Sequence, residues 1–109
     1  MEYAMCTMIT GERPYPSLLG VTAHEMAHAW FQHLLATNEA KHAWMDEGFT
    51  EYVTSLSENY VNDVAPEFPH KSSYDRYYLL ASSGFEQAQT IHSDRYDYNF
   101  AYGASAYSK

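Results

Sequence analysis

The stretch His24-Glu25-Met26-Ala27-His28 constrains this chain more than any other. On an α-helix, histidines at i and i+4 lie about 40° apart around the axis and roughly 6 Å apart along it. Both imidazoles can therefore aim at a single cation from one helix face. Glu25 sits about 100° further round from His24, too far to join the same ligand set. It can instead reach a water held by the cation and take its proton. Zinc needs a third protein ligand and keeps a fourth position open for water, so one more residue must come from elsewhere in the chain.

Glu47 is the candidate. Residues 29 to 46, eighteen in all, separate it from His28. That length holds the rest of one helix, a turn, and the first residues of a second helix packed back against it. Leu18, Leu19, Val21, Met26, Trp30, Phe31, Leu34 and Leu35 make the first helix apolar nearly all round, as in a helix buried inside a larger protein. His24 and His28 interrupt that surface. An unpaired buried imidazole is costly, whereas two held by a metal are satisfied.

The segment Trp44-Met45-Asp46-Glu47-Gly48-Phe49-Thr50-Glu51-Tyr52 reads W-x-x-E-G-F-x-E-Y. An HExxH followed after eighteen residues by the Glu of such a stretch resembles the M1 family of zinc aminopeptidases. Ala29-Trp30-Phe31, directly after His28, matches that family's usual H-x-W-F run. Met1-Glu2 before an aliphatic strand resembles the end of its G-x-M-E-N motif, whose Glu binds the substrate's α-amino group, with Tyr3 where Asn is usual. Tyr107-Ser108-Lys109 resembles the start of its Y-x-K-G motif, whose Tyr hydroxyl faces the zinc. Tyr107 stands sixty positions after Glu47, a separation familiar in that family.

The resemblance covers nearly the whole chain. It implies an α+β, mainly helical fold: a fragment of a thermolysin-like zinc peptidase catalytic domain, with an edge strand followed by helices. Both ends fall inside family motifs, so residues 1–109 are expected to be one partial catalytic domain excised from a longer enzyme. The isolated segment is expected to be poorly active and to self-associate through surfaces the cut exposes.

Composition narrows the partners. Six Lys+Arg against fourteen Asp+Glu give a formal charge of −8, which argues against nucleic acid. It is compatible with a substrate bearing a free ammonium. The only cysteine is Cys6, which rules out an internal disulfide and reads as a packed small hydrophobe in a strand. No apolar run approaches the ~20 residues of a membrane span, and no signal peptide is visible.

Along the chain, residues 2 to 10 are expected to form a strand at a sheet edge, ended by Gly11, Pro14 and Pro16. Ser17 is the expected N-cap of a helix running to about Ala36. Asn38 to Lys41 form a polar turn. A second helix over about 45–62 carries Glu47 in its first turn, and its Phe49, Tyr52, Val53, Leu56 and Tyr60 read as a core stripe. A third helix is expected from about Ser72 to Ala88 with Gly84 as a weak spot, then a loop over 90–99, then a last helix from residue 100. His33, His42, His70 and His92 have no ligand spacing and read as surface or packing residues.

These groups imply one zinc per chain on His24, His28 and Glu47, acting on a peptide with a free N-terminus. Glu25 serves as general base, and Tyr107 donates to the tetrahedral oxyanion. Glu2 pairs with the α-ammonium. Glu51, at i+4 from Glu47, and Asp46 accept the free ring N–H groups of the ligand histidines. Two alternatives stay open, a metalloendopeptidase of the same gluzincin group and a non-catalytic zinc-binding scaffold. Epoxide hydrolysis is a further activity known for some relatives.

Overall fold

The computed structural model describes residues 1–109. The chain starts with a small hairpin: β1 (Glu2–Tyr3) pairs antiparallel with β2 (Cys6–Thr7), Glu2 opposite Thr7 and Tyr3 opposite Cys6. The single strand expected over 2–10 is not formed, because Met5 takes a left-handed φ of 69° and folds the chain back on itself. Cys6, on β2, is exposed rather than packed.

Helix α1 runs Tyr15–His28. Pro14 precedes it and Pro16 lies in the first turn, where a missing N–H leaves no helical bond unmade. Ser17 is therefore inside the helix rather than its cap, and its hydroxyl accepts a hydrogen bond from Arg13 Nη1 at 3.2 Å. Beyond His28 the coil widens into a π-helical segment, Ala29–Leu34, with Leu35 N–H donating to Trp30 O at 2.9 Å. It stops before Ala36, whose φ is 53°. In the turn that follows, Asn38 Oδ1 accepts from Lys41 N–H, as short polar side chains do at turns.

A second π-helical segment, Trp44–Gly48, leads into α2 (Phe49–Val61). Helix α3 spans Lys71–Ser83 and ends at Gly84, whose φ of 78° closes the helix instead of merely weakening it. A single 3₁₀ turn, Ser93–Arg95, interrupts the loop before α4 (Asn99–Tyr107). The protein is thus mainly helical, with a two-stranded antiparallel sheet at its start. No helix is long and apolar enough to cross a membrane.

The principal packing is α1 on α2, run antiparallel. Gly20, His24 and His28 stand at successive turns of α1, and Glu58, Glu51 and Glu47 meet them in reverse order. A Cβ at Gly20 would lie 2.5 Å from Glu58 Oε1, so the Glu58 carboxylate rests against the bare backbone of α1 there. Of the stripe expected as core, Phe49, Tyr52, Leu56 and Tyr60 are exposed instead and Val53 is half-buried. Thr50, Thr54 and Ser55 take the buried side of α2. Small residues let the helices approach, and Thr54 and Ser55 satisfy their hydroxyls by bonding back to Thr50 O and Glu51 O. On α1 only Ala27 and His28 are buried and Met26 is open, as are Trp30, Leu34 and Leu35 beyond its end. A separate small cluster of Leu80, Ala101 and Ala104, flanked by Tyr96, joins α3 to α4.

Candidate metal centre

Three ligand-type atoms converge where α1 meets the segment ahead of α2. His24 Nε2 lies 3.0 Å from Glu47 Oε2, His28 Nε2 lies 3.3 Å from the same oxygen, and the two Nε2 atoms are 3.2 Å apart. The edge of a tetrahedron around a zinc ion with bonds of about 2.0–2.1 Å is roughly 3.3 Å. The set therefore fits one such ion without rearrangement.

The outer faces of both rings are held as well. His28 Nδ1 donates to Asp46 Oδ1 at 2.6 Å, and His24 Nδ1 lies 3.3 Å from Glu51 Oε2. Carboxylates can only accept, so each imidazole, once neutral, keeps its proton on Nδ1 and presents a lone pair at Nε2. Two such lone pairs and a carboxylate oxygen then face one another at about 3 Å, an arrangement that calls for positive charge at its centre. The titration behaviour expresses the same demand. Burial alone would lower the His24 pKa, but hydrogen bonds to Glu47 and Glu51 outweigh it and raise the value to about 9. For His28, burial is likewise outweighed by Asp46 and Glu47, giving about 10. Burial pushes Glu47 up, yet contacts with His24, His28 and Tyr107 bring it down to about 2.

Local sequence explains the placement. The i, i+4 spacing sets both histidines on one face of α1. Asp46 and Glu47 are adjacent in sequence, yet both reach α1. They stand in the wider coil of a π-helical turn, a feature frequent at functional sites.

Other residues singled out in the sequence gather around this point. Glu2 on β1 places a carboxylate oxygen within 4.8 Å of ligand atoms of His28, Asp46 and Glu47. Glu25 and Glu2 flank one locus: the Met1 amino group is 2.6 Å from Glu25 Oε2 and 4.0 Å from Glu2 Oε2. Tyr107 stacks on the His24 ring at 5.7 Å between centroids with planes 11° apart. Burial, and next the negative charge of Glu47, push its hydroxyl pKa up, so it stays protonated. Gly48 lets α4 come this close, since a Cβ there would lie 3.0 Å from Ala106 O. A cleft of about 540 Å³ opens beside the centre, bordered by Gly48, Phe49, Tyr52, His70 and Tyr107.

The remaining histidines stay away from the ligand set. His70 stacks on Tyr52 at 4.5 Å, and His92 Nδ1 accepts from Asp94 N–H at 3.2 Å. Sequence reasoning assigned no role to Thr50 and Gly48, although both lie in the Trp44–Tyr52 stretch, and did not mark Glu39. Thr50 Oγ1 lies 3.4 Å from His28 Nδ1. The Glu39 carboxyl is pushed up by burial and then by the charge of Asp46. Thr50 had a usable signal, its i+4 spacing from Asp46, whereas Glu39 sits on a turn with no periodicity to mark it.

Against known proteins, the model of the peptidase family M1 domain matches residues 7–109. Leucine aminopeptidase 2 of Lodderomyces elongisporus is 43% identical over 47 residues, which are 43% of this chain and 7% of that protein. A leukotriene A-4 hydrolase homolog of Botryotinia fuckeliana is 37% identical over 51 residues, 47% of this chain and 7% of its own length. Leucine aminopeptidase 2 of Saccharomyces cerevisiae is 38% identical over 53 residues, 49% of this chain and 8% of its own length. The chain thus matches less than a tenth of the length of these curated relatives. No solved structure matches it.

Proposed function

The chain belongs to peptidase family M1, and on that premise we propose that it carries the zinc site and catalytic groups of an aminopeptidase. The observation that carries this is the convergence of His24 Nε2, His28 Nε2 and Glu47 Oε2 within 3.0–3.3 Å of one another. These three residues would hold one zinc per chain. When bound, the ion supplies Lewis acidity, lowering the pKa of a water toward ~7 and polarising the scissile carbonyl.

The protein's own groups do the rest. Glu25, next to His24 but turned out of the ligand set, takes the proton of the attacking water and passes it to the leaving amine. Tyr107, kept neutral by burial and by Glu47, donates a hydrogen bond to the oxyanion as it forms. The Glu2 carboxylate pairs with the substrate's α-ammonium, which confines cleavage to the first residue of a peptide with a free N-terminus. Asp46 and Glu51 fix the ring orientation of His28 and His24 through Nδ1. The names of the relatives support the aminopeptidase reading over an endopeptidase.

The test combines metal content and hydrolysis of a leucine aryl-amide. Protein purified without chelator should hold close to one zinc. Glu47→Ala should lose the metal, and Glu25→Gln should keep it while losing hydrolysis. Zinc retained in Glu47→Ala, or full activity in Glu25→Gln, would overturn the assignment.

A further inference from the structure

Deepening the zinc site proposed above, we infer that Thr50 is a positioning residue for it: its hydroxyl is the second acceptor on His28 Nδ1 and holds that ring on target. Thr50 lies in the first turn of α2 and is fully buried, with 0% of its surface exposed. A hydroxyl shut away from water needs a partner. The one partner of Thr50 Oγ1 is His28 Nδ1, at 3.4 Å.

The choice of partner is informative. Serine and threonine inside a helix ordinarily bond back to the carbonyl four residues earlier. Thr54, Ser55 and Ser57 on this same helix do so, with acceptors Thr50 O, Glu51 O and Val53 O at 2.8, 3.1 and 2.8 Å. Thr50 forgoes that local bond and faces the imidazole across the helix pair. Tertiary contact with His28 therefore decides its direction.

The consequence falls on Nε2. The single proton of His28 Nδ1 goes mainly to Asp46 Oδ1 at 2.6 Å, with Thr50 Oγ1 as a longer second acceptor. A flipped ring would set a C–H against both oxygens. Two acceptors on one nitrogen thus fix the ring and its tautomer, and so aim the Nε2 lone pair at the point shared with His24 and Glu47. Thr50 touches no substrate in this role.

Two substitutions separate the hydroxyl from the methyl group. Thr50→Val keeps the shape and removes the oxygen, while Thr50→Ser keeps the oxygen and removes the methyl. Zinc affinity is read by competition with a chromogenic chelator, and stability by the Tm of the metal-free protein. Thr50→Val should weaken zinc by about tenfold, the low end of what loss of such a supporting contact costs, with Tm nearly unchanged. Thr50→Ser should retain the affinity and lower Tm, because the lost methyl leaves a void. Thr50→Val binding zinc as tightly as the unchanged protein would overturn the inference. So would Thr50→Ser losing as much affinity as Thr50→Val. If the unchanged protein binds no zinc, or Glu47→Ala binds it equally well, the zinc site itself fails, and Thr50 with it.

Discussion

His28 Nδ1 and Asp46 Oδ1 stand 2.6 Å apart, with side chains 1% and 2% exposed, and they tie α1 to the segment that carries Glu47. This is a charge-assisted bond shut away from water. Asp46→Ala should raise the zinc dissociation constant by about 10–100-fold while leaving the three proposed ligands in the chain. Chelator competition measures it. An unchanged constant would show that the bond does not support the ligand.

Alkali should act in opposite senses on the metal-free and zinc-loaded protein. Without metal, His24 and His28 have pKa values raised from 6.5 to about 9 and about 10. The stability they add is fully present below 6.5 and is lost as pH rises through 9 to 10. Glu47 is lowered from 4.5 to about 2, so its share is present above 4.5 and lost as pH falls toward 2. Metal-free Tm should therefore be flat across about pH 4.5–6.5 and decline on the alkaline side. Zinc requires both imidazoles neutral, so binding near pH 7.5 should release about two protons and tighten as pH rises. Calorimetry in two buffers of different ionisation enthalpy counts the protons, and a count of zero would contradict the raised values.

Gly48 controls the approach of Tyr107. A Cβ there would sit 3.0 Å from Ala106 O, an atom of backbone that yields only if α4 moves. Gly48→Ala should displace Tyr107 from His24 and Glu47 and lower kcat by up to about 10²-fold, with zinc content intact. Activity equal to the unchanged protein would show that α4 has slack.

In the longer enzyme expected from the sequence, Glu2 and Tyr107 should differ in kinetic signature. Glu2→Gln should raise KM and reduce the preference for free over blocked N-termini. Tyr107→Phe should lower kcat and kcat/KM together by on the order of 10²–10³, the mark of an interaction made in the transition state. If both changes moved KM alone, the roles assigned to them would be wrong.

Much of this site could be read along the chain because its rules are local. Helical periodicity places His24 and His28 on one face and turns Glu25 aside. An eighteen-residue gap suffices to bring Glu47 back, and it does. Family membership followed from the same residues, as did the α+β, mainly helical class. Short-range signals erred where a single dihedral decided. Met5 folded a nine-residue strand into a hairpin, and Pro16 drew the start of α1 ahead of Ser17.

What no stretch of sequence could decide was which side of α2 would meet α1. Phe49, Tyr52, Leu56 and Tyr60 form a proper apolar stripe, yet they face outward. The opposite side, with Thr50 at its head, is buried because Asp46, Glu47 and Glu51 all reach for the histidines of α1. The Thr50 contact with His28, the Gly48 contact with Ala106 and the stacking of Tyr107 on His24 all join separate elements. Periodicity tells which residues share a face. Only the crossing of two helices, set by how closely their backbones can approach, tells what that face will touch.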